Sequence, residues 1–71
     1  MKKNETHVWM IEEGRVYNNG YIKSATRTKK IAETKCKDDG FTYSNKDALW
    51  IKSVDGIGYW RDIWKLEFYT D

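Results

Sequence analysis

Histidine and cysteine are where most side-chain chemistry begins, and this chain of 71 residues has one of each, His7 and Cys36. Paired, they could make a thiolate nucleophile with the imidazole taking the proton. Cys36, however, falls on the apolar stripe of a predicted helix, where cysteine acts as a small filler, and His7 stands in a strand-like run without visible partners. Both read as structural. One thiol can neither close a disulfide within the chain nor build a four-ligand zinc site. The acidic neighbours Glu12-Glu13 and Asp38-Asp39 do not converge, because adjacent residues point to opposite faces of a strand and diverge at a helix end. Gly56 and Gly58 form a lone G-x-G with no P-loop lysine after it. The sequence therefore predicts no enzyme, no metal and no cofactor.

Binding chemistry is better represented. The formal charge of +2 is unevenly spread. Residues 1–22 balance to zero, and residues 38–71 carry more acid than base. Between them Lys23, Arg27, Lys29, Lys30, Lys35 and Lys37 face only Glu33. Six cations on a strand end and one helix could track a phosphate backbone, so nucleic acid is one candidate partner. The plainer reading is a solvated helix face, and no zinc-finger, helix-turn-helix or aromatic RNA-binding signature accompanies the stretch.

The aromatic content argues for a protein partner instead. Four Trp, five Tyr and two Phe would bury on the order of 2,000 Å² if all were inside. One helix on one sheet face cannot enclose that area together with the aliphatic residues, so some aromatics must face outward. Exposed Trp, Tyr and Arg are enriched at interface hot spots.

These side chains must be positioned by few elements. Thr6 to Ile11 is β-branched and aromatic, runs on to Val16 and Tyr17, and meets Asn18-Asn19-Gly20, a hairpin turn signal, before a return strand Tyr21–Ala25. Gly14 marks a candidate bulge. Thr26 or Thr28 caps a helix over residues 29–39, with Ile31, Ala32, Lys35 and Cys36 on its apolar stripe and Gly40 closing it. Residues 41–46 read as a connection. Residues 47–53 are ambiguous, since Ser44 and Asp47 also suit a capping box, but are assigned to a strand. Asp55-Gly56 is a two-residue turn that sets Ile51 opposite Trp60 and Trp50 opposite Arg61. From there alternation puts Trp60, Trp64, Leu66 and Phe68 on one face and Tyr59, Arg61, Lys65, Glu67 and Tyr69 on the other. Asp62 and Ile63 break that division, which predicts a bulge near Arg61-Asp62. The expected fold is α+β, a small antiparallel ββαββ sheet with one helix on one face, in a single domain over residues 1–71 with residues 1–5 as a flexible tail. The face of Trp60 and Trp64 is assigned to the core. Trp50, Tyr59, Arg61 and Tyr69 are the expected partner-binding residues.

Thr28-Lys29-Lys30-Ile31-Ala32-Glu33 and the run from Tyr59 to Tyr69 together resemble small uncharacterised proteins encoded by phages and mobile elements, in which a strand, a Lys/Glu-rich helix and a final aromatic strand make a compact unit. The resemblance implies a viral protein that binds and inhibits a host or defence factor, as anti-CRISPR proteins do. Many such proteins are acidic DNA mimics, and this chain is not. No apolar stretch suits a signal peptide or a membrane span, and the lone cysteine suits a reducing compartment, so a cytoplasmic location is expected. A second copy, paired through an edge strand, is a further expected partner.

Overall fold

The computed structural model describes the backbone of residues 4–70 and the side chains of residues 7–68. Strand β1 spans Asn4–Arg15, β2 Tyr21–Thr26, β3 Thr42–Ser44, β4 Leu49–Val54 and β5 Ile57–Thr70, with helix α1 over Lys29–Asp38. All strands join one antiparallel sheet in the order β2-β1-β5-β4-β3. The first and last strands of the chain are therefore its centre. They pair without a register break from Asn4↔Thr70 to Arg15↔Tyr59. β2 stops at Thr26, opposite Trp9, and β4 begins at Leu49, one residue before the Trp50↔Arg61 pair. Beyond those limits β1 and β5 continue as a two-stranded ribbon.

Local chemistry accounts for the boundaries. The Thr28 hydroxyl accepts a hydrogen bond from the Ile31 amide at 3.1 Å, which satisfies one of the free donors at the start of α1. At its end the Gly40 amide donates to the Lys37 carbonyl and the Phe41 amide to the Cys36 carbonyl, the Schellman arrangement, and Phe41 folds back into the core. Asp55 and Gly56 both have positive φ, 51° and 80°, as a type I′ turn requires, and the register Ile51↔Trp60 and Trp50↔Arg61 follows.

Several expectations are corrected. Residues 42–44, read as part of a connection, form a short third edge strand on β4. Ser44 and Asp47 do bond, the Asp47 amide donating to the Ser44 hydroxyl at 3.3 Å, but they tighten a turn instead of opening a helix. Gly14 is not bulged, since it pairs regularly with Trp60. The irregularity lies between Ile11 and Glu12, where β2 carries Lys23 as an extra residue. Asn4 and Glu5, expected in a tail, pair with Thr70 and Tyr69, while residues 1–3 lie outside the described residues.

The largest correction concerns the two faces. The core is Ile11, Ala32, Cys36, Phe41 and Trp50, with Trp9, Tyr59 and Ile63 packed against it. On β5 these are the odd-numbered residues, so α1 covers the side of Tyr59, Arg61 and Ile63 and leaves bare the side of Trp60, Trp64, Leu66 and Phe68. No bulge intervenes at Arg61-Asp62. The reason lies in the helix. Its buried contacts are Ala32 and Cys36, small side chains that bring its backbone close to the sheet. Ile11, Ile63, Phe41 and Trp50 fill the space beneath the helix, and the flat guanidinium of Arg61 is admitted there because Glu13 and Asp39 pair with it.

Candidate protein-interaction surface

Beneath the helix, Arg61 is the only buried charged residue among those described, at 3% exposure. It is fully paired. Its Nε donates to Glu13 Oε1 at 2.7 Å and its Nη1 to Asp39 Oδ2 at 2.8 Å, and the guanidinium stands 4.3 Å from the centre of the Phe41 ring. Glu13 also accepts from the Tyr21 hydroxyl at 2.9 Å. Burial pushes the Glu13 carboxyl up, but the hydrogen bonds from Arg61 and Tyr21 and the Arg61 charge outweigh it and hold the carboxyl below its ordinary range. The Arg61 hydrogen bond does the same for Asp39. Arg61 thereby joins β1, β5 and the residue that caps the helix C-terminus. Cys36, beside it, is sealed from solvent, and burial pushes its thiol up against the opposing hydrogen bond from Arg61. That is the opposite of an activated nucleophile.

Of the expected contact residues, Trp50 is 7% exposed and stacks edge-on with Tyr43 at 5.4 Å, Arg61 is buried, and Tyr59 packs against the core. Alternation along β5 was the signal used to place Tyr59 and Arg61 outward, and it separates two faces without saying which one the helix takes. The side chain of Tyr69 lies outside the described residues. The basic residues are dispersed. Lys29 stands 5.8 Å from the centre of the Trp9 ring, Lys35 and Lys37 occupy the last helical turn where cations suit the dipole, and Lys23 is the bulged residue of β2. Arg27 and Lys30 are exposed.

The opposite face has no covering element among the described residues. Register places on it Val8, Met10 and Glu12 of β1, Trp60, Asp62, Trp64, Leu66 and Phe68 of β5, Leu49 and Ile51 of β4, and Ile22 and Ala25 of β2. Leu66 and Phe68 keep 43% and 42% of their surface exposed. Trp60 lies flat across the sheet. A Cβ on Gly14 would come within 2.8 Å of its ring and one on Gly20 within 2.4 Å, so both positions accept only glycine in this packing. Its Nε1 donates to the Arg15 carbonyl at 3.0 Å. The Trp64 Nε1 donates to Glu12 Oε1 at 3.3 Å.

In the middle of this apolar field Glu12 sits directly opposite Asp62. Among the described residues neither carboxylate has an ion-pair partner. Burial, reinforced by the Glu12 charge and opposed by a backbone hydrogen bond at Ile63, pushes the Asp62 carboxyl up. No cation of β1, β2, β4 or β5 shares the face in register with these two. The surface is thus apolar, aromatic and acidic, while the helix side carries the bases. Comparison with family models, with curated proteins and with solved structures gives no match for the chain.

Proposed function

We propose that the protein is a non-enzymatic interaction module that docks a protein partner on the open sheet face around Trp60, Trp64, Leu66 and Phe68. One observation carries this reading: on the side away from the helix, with no covering element among the described residues, Trp60 and Trp64 are half-buried and Leu66 and Phe68 keep more than 40% of their surface exposed. Each residue facing one side takes up about 32 Å² of sheet, so the ten apolar residues in register on this face cover on the order of 300 Å² before side-chain relief is counted. Contiguous apolar patches of that size on small proteins are commonly functional. Tryptophan at the centre suits a hot spot, with Leu66, Phe68 and Val8 extending the contact along the ribbon. The resemblance to small phage-type proteins makes a blocking role against a host or defence factor the fitting biological form of this activity.

The test is affinity capture by the wild-type protein and by a Leu66→Ser/Phe68→Ser variant, each with and without nuclease. A protein retained after nuclease treatment by the wild type and lost by the variant supports the reading. Retention unchanged in the variant refutes it. Capture that disappears with nuclease and survives the double substitution would transfer the activity to the basic residues of β2 and α1.

A further inference from the structure

Two carboxylates placed directly opposite one another are an unfavourable choice for a sheet. Like charges across a strand pair are destabilising, and aspartate is among the poorest strand formers. Here they also lie among apolar neighbours, flanked along β5 by Trp60 and Trp64, each two residues or about 7 Å from Asp62. Sites where a sequence works against its own fold are where function is to be sought. If a purely apolar partner closed the face, both carboxylates would lose water with only the Trp64 indole N–H on Glu12 and a backbone N–H on Asp62 in its place and no counter-charge, which is unfavourable. A second copy packed symmetrically with this row at its centre would bring four carboxylates together.

We infer that the open face takes a protein partner presenting one arginine or lysine within an apolar surface, the cation seating on Glu12 and Asp62 between Trp60 and Trp64. This rests on reading that face as the docking surface. Charge complementarity selects the occupant: among the described strand residues the face carries Glu12 and Asp62 and no cation in register, whereas Arg15, Lys52, Arg61 and Lys65 fall on the other side. The carboxylates supply the charge, and indoles on either side add attraction for a cation and cover for its alkyl stem. Arginine fits best, because its planar fork can bridge two carboxylates while its faces lie against aromatic rings.

The probe is an end-blocked pentapeptide, Leu-Phe-Arg-Phe-Leu, compared with versions carrying citrulline or glutamate in place of arginine. Binding is read from the indole N–H resonances of Trp60 and Trp64, with sedimentation equilibrium run on the same samples. The arginine peptide is expected to shift both indoles and to bind at least about tenfold more tightly than the citrulline peptide, as for a charged hydrogen bond gained. The Glu12→Gln/Asp62→Asn variant, which keeps the apolar face, should abolish that preference. Equal binding of the arginine and citrulline peptides would overturn the inference and leave the face as an apolar docking site. No indole shift with any peptide overturns it as well, as does a concentration-dependent dimer that shields the indoles and names a second copy as the occupant. The docking reading itself fails separately, through capture that survives Leu66→Ser/Phe68→Ser.

Discussion

Asp62 and Glu12 oppose each other across the central strand pair, and their charges lower the stability of the sheet they belong to. Asp62, its folded carboxyl raised by burial and by Glu12, favours the folded state only while protonated. That contribution is present below the ordinary carboxylate range of about pH 4 and is lost as pH rises through the raised folded value. Asp62→Asn should therefore stabilise the protein at pH 7 by about 0.5 to 1 kcal/mol, the size of one unfavourable cross-strand pair. In a domain of this length that is a Tm increase of about 2 to 8 °C. The increase should shrink towards zero at pH 3, where the Asp62 carboxyl, raised in the folded state, is protonated. Thermal unfolding of both proteins at the two pH values checks this, and a variant less stable than wild type at pH 7 would show that Asp62 serves the fold. Glu13 and Asp39 have the opposite sign. Their carboxyls are held low by Arg61, so their contribution is present above the ordinary range and is lost as pH falls through the depressed values.

Elements were legible from sequence wherever a local rule fixes them. Thr28 caps α1, Gly40 closes it, and Asp55-Gly56 sets the register of β4 on β5, each by hydrogen bonds or dihedrals within a few residues. The choice of covered face was not legible, because it depends on partners distant in the chain. Arg61 is acceptable under the helix only because Glu13 and Asp39 meet it there, 48 and 22 residues away. Alternation alone marks it as a surface residue. The open face of Trp60 and Trp64 was assigned to the core for the same reason, although Asp62 between two tryptophans was a visible anomaly. The pairing of the first strand with the last also went unseen, and it creates the ribbon. A two-stranded ribbon is marginal in isolation. Amide exchange at Val8, Leu66 and Phe68 should accordingly be faster, by about two orders of magnitude or more, than at Ile11 and Ile63, where β2 and α1 add support. Equal protection in the dilute free protein would mean that the ribbon is already covered.

At the scale of the whole molecule, the apolar residues divide into a set that holds the fold and a set that faces outward, and the division can be measured. Among the described residues the core is small: five buried apolar side chains, with three others packed against them. A domain of this size has little stability in reserve. Removing volume from the covered side should be severe, so Ile11→Ala, at a fully buried position, is expected to cost about 2 to 5 kcal/mol. The open side should behave differently. Leu66 and Phe68 keep over two fifths of their surface in water, and replacing either with serine should change stability by no more than about 1 kcal/mol. The same replacements should raise the concentration at which the protein stays monodisperse, since they dilute an exposed apolar patch. Urea unfolding of the three single variants, with light scattering of the folded proteins, reads both effects. Were the faces reversed, Phe68→Ser would be as damaging as Ile11→Ala. A large loss for Ile11→Ala with a near-neutral Phe68→Ser establishes that the tryptophan face is spare to folding, and hence free to be used for contact.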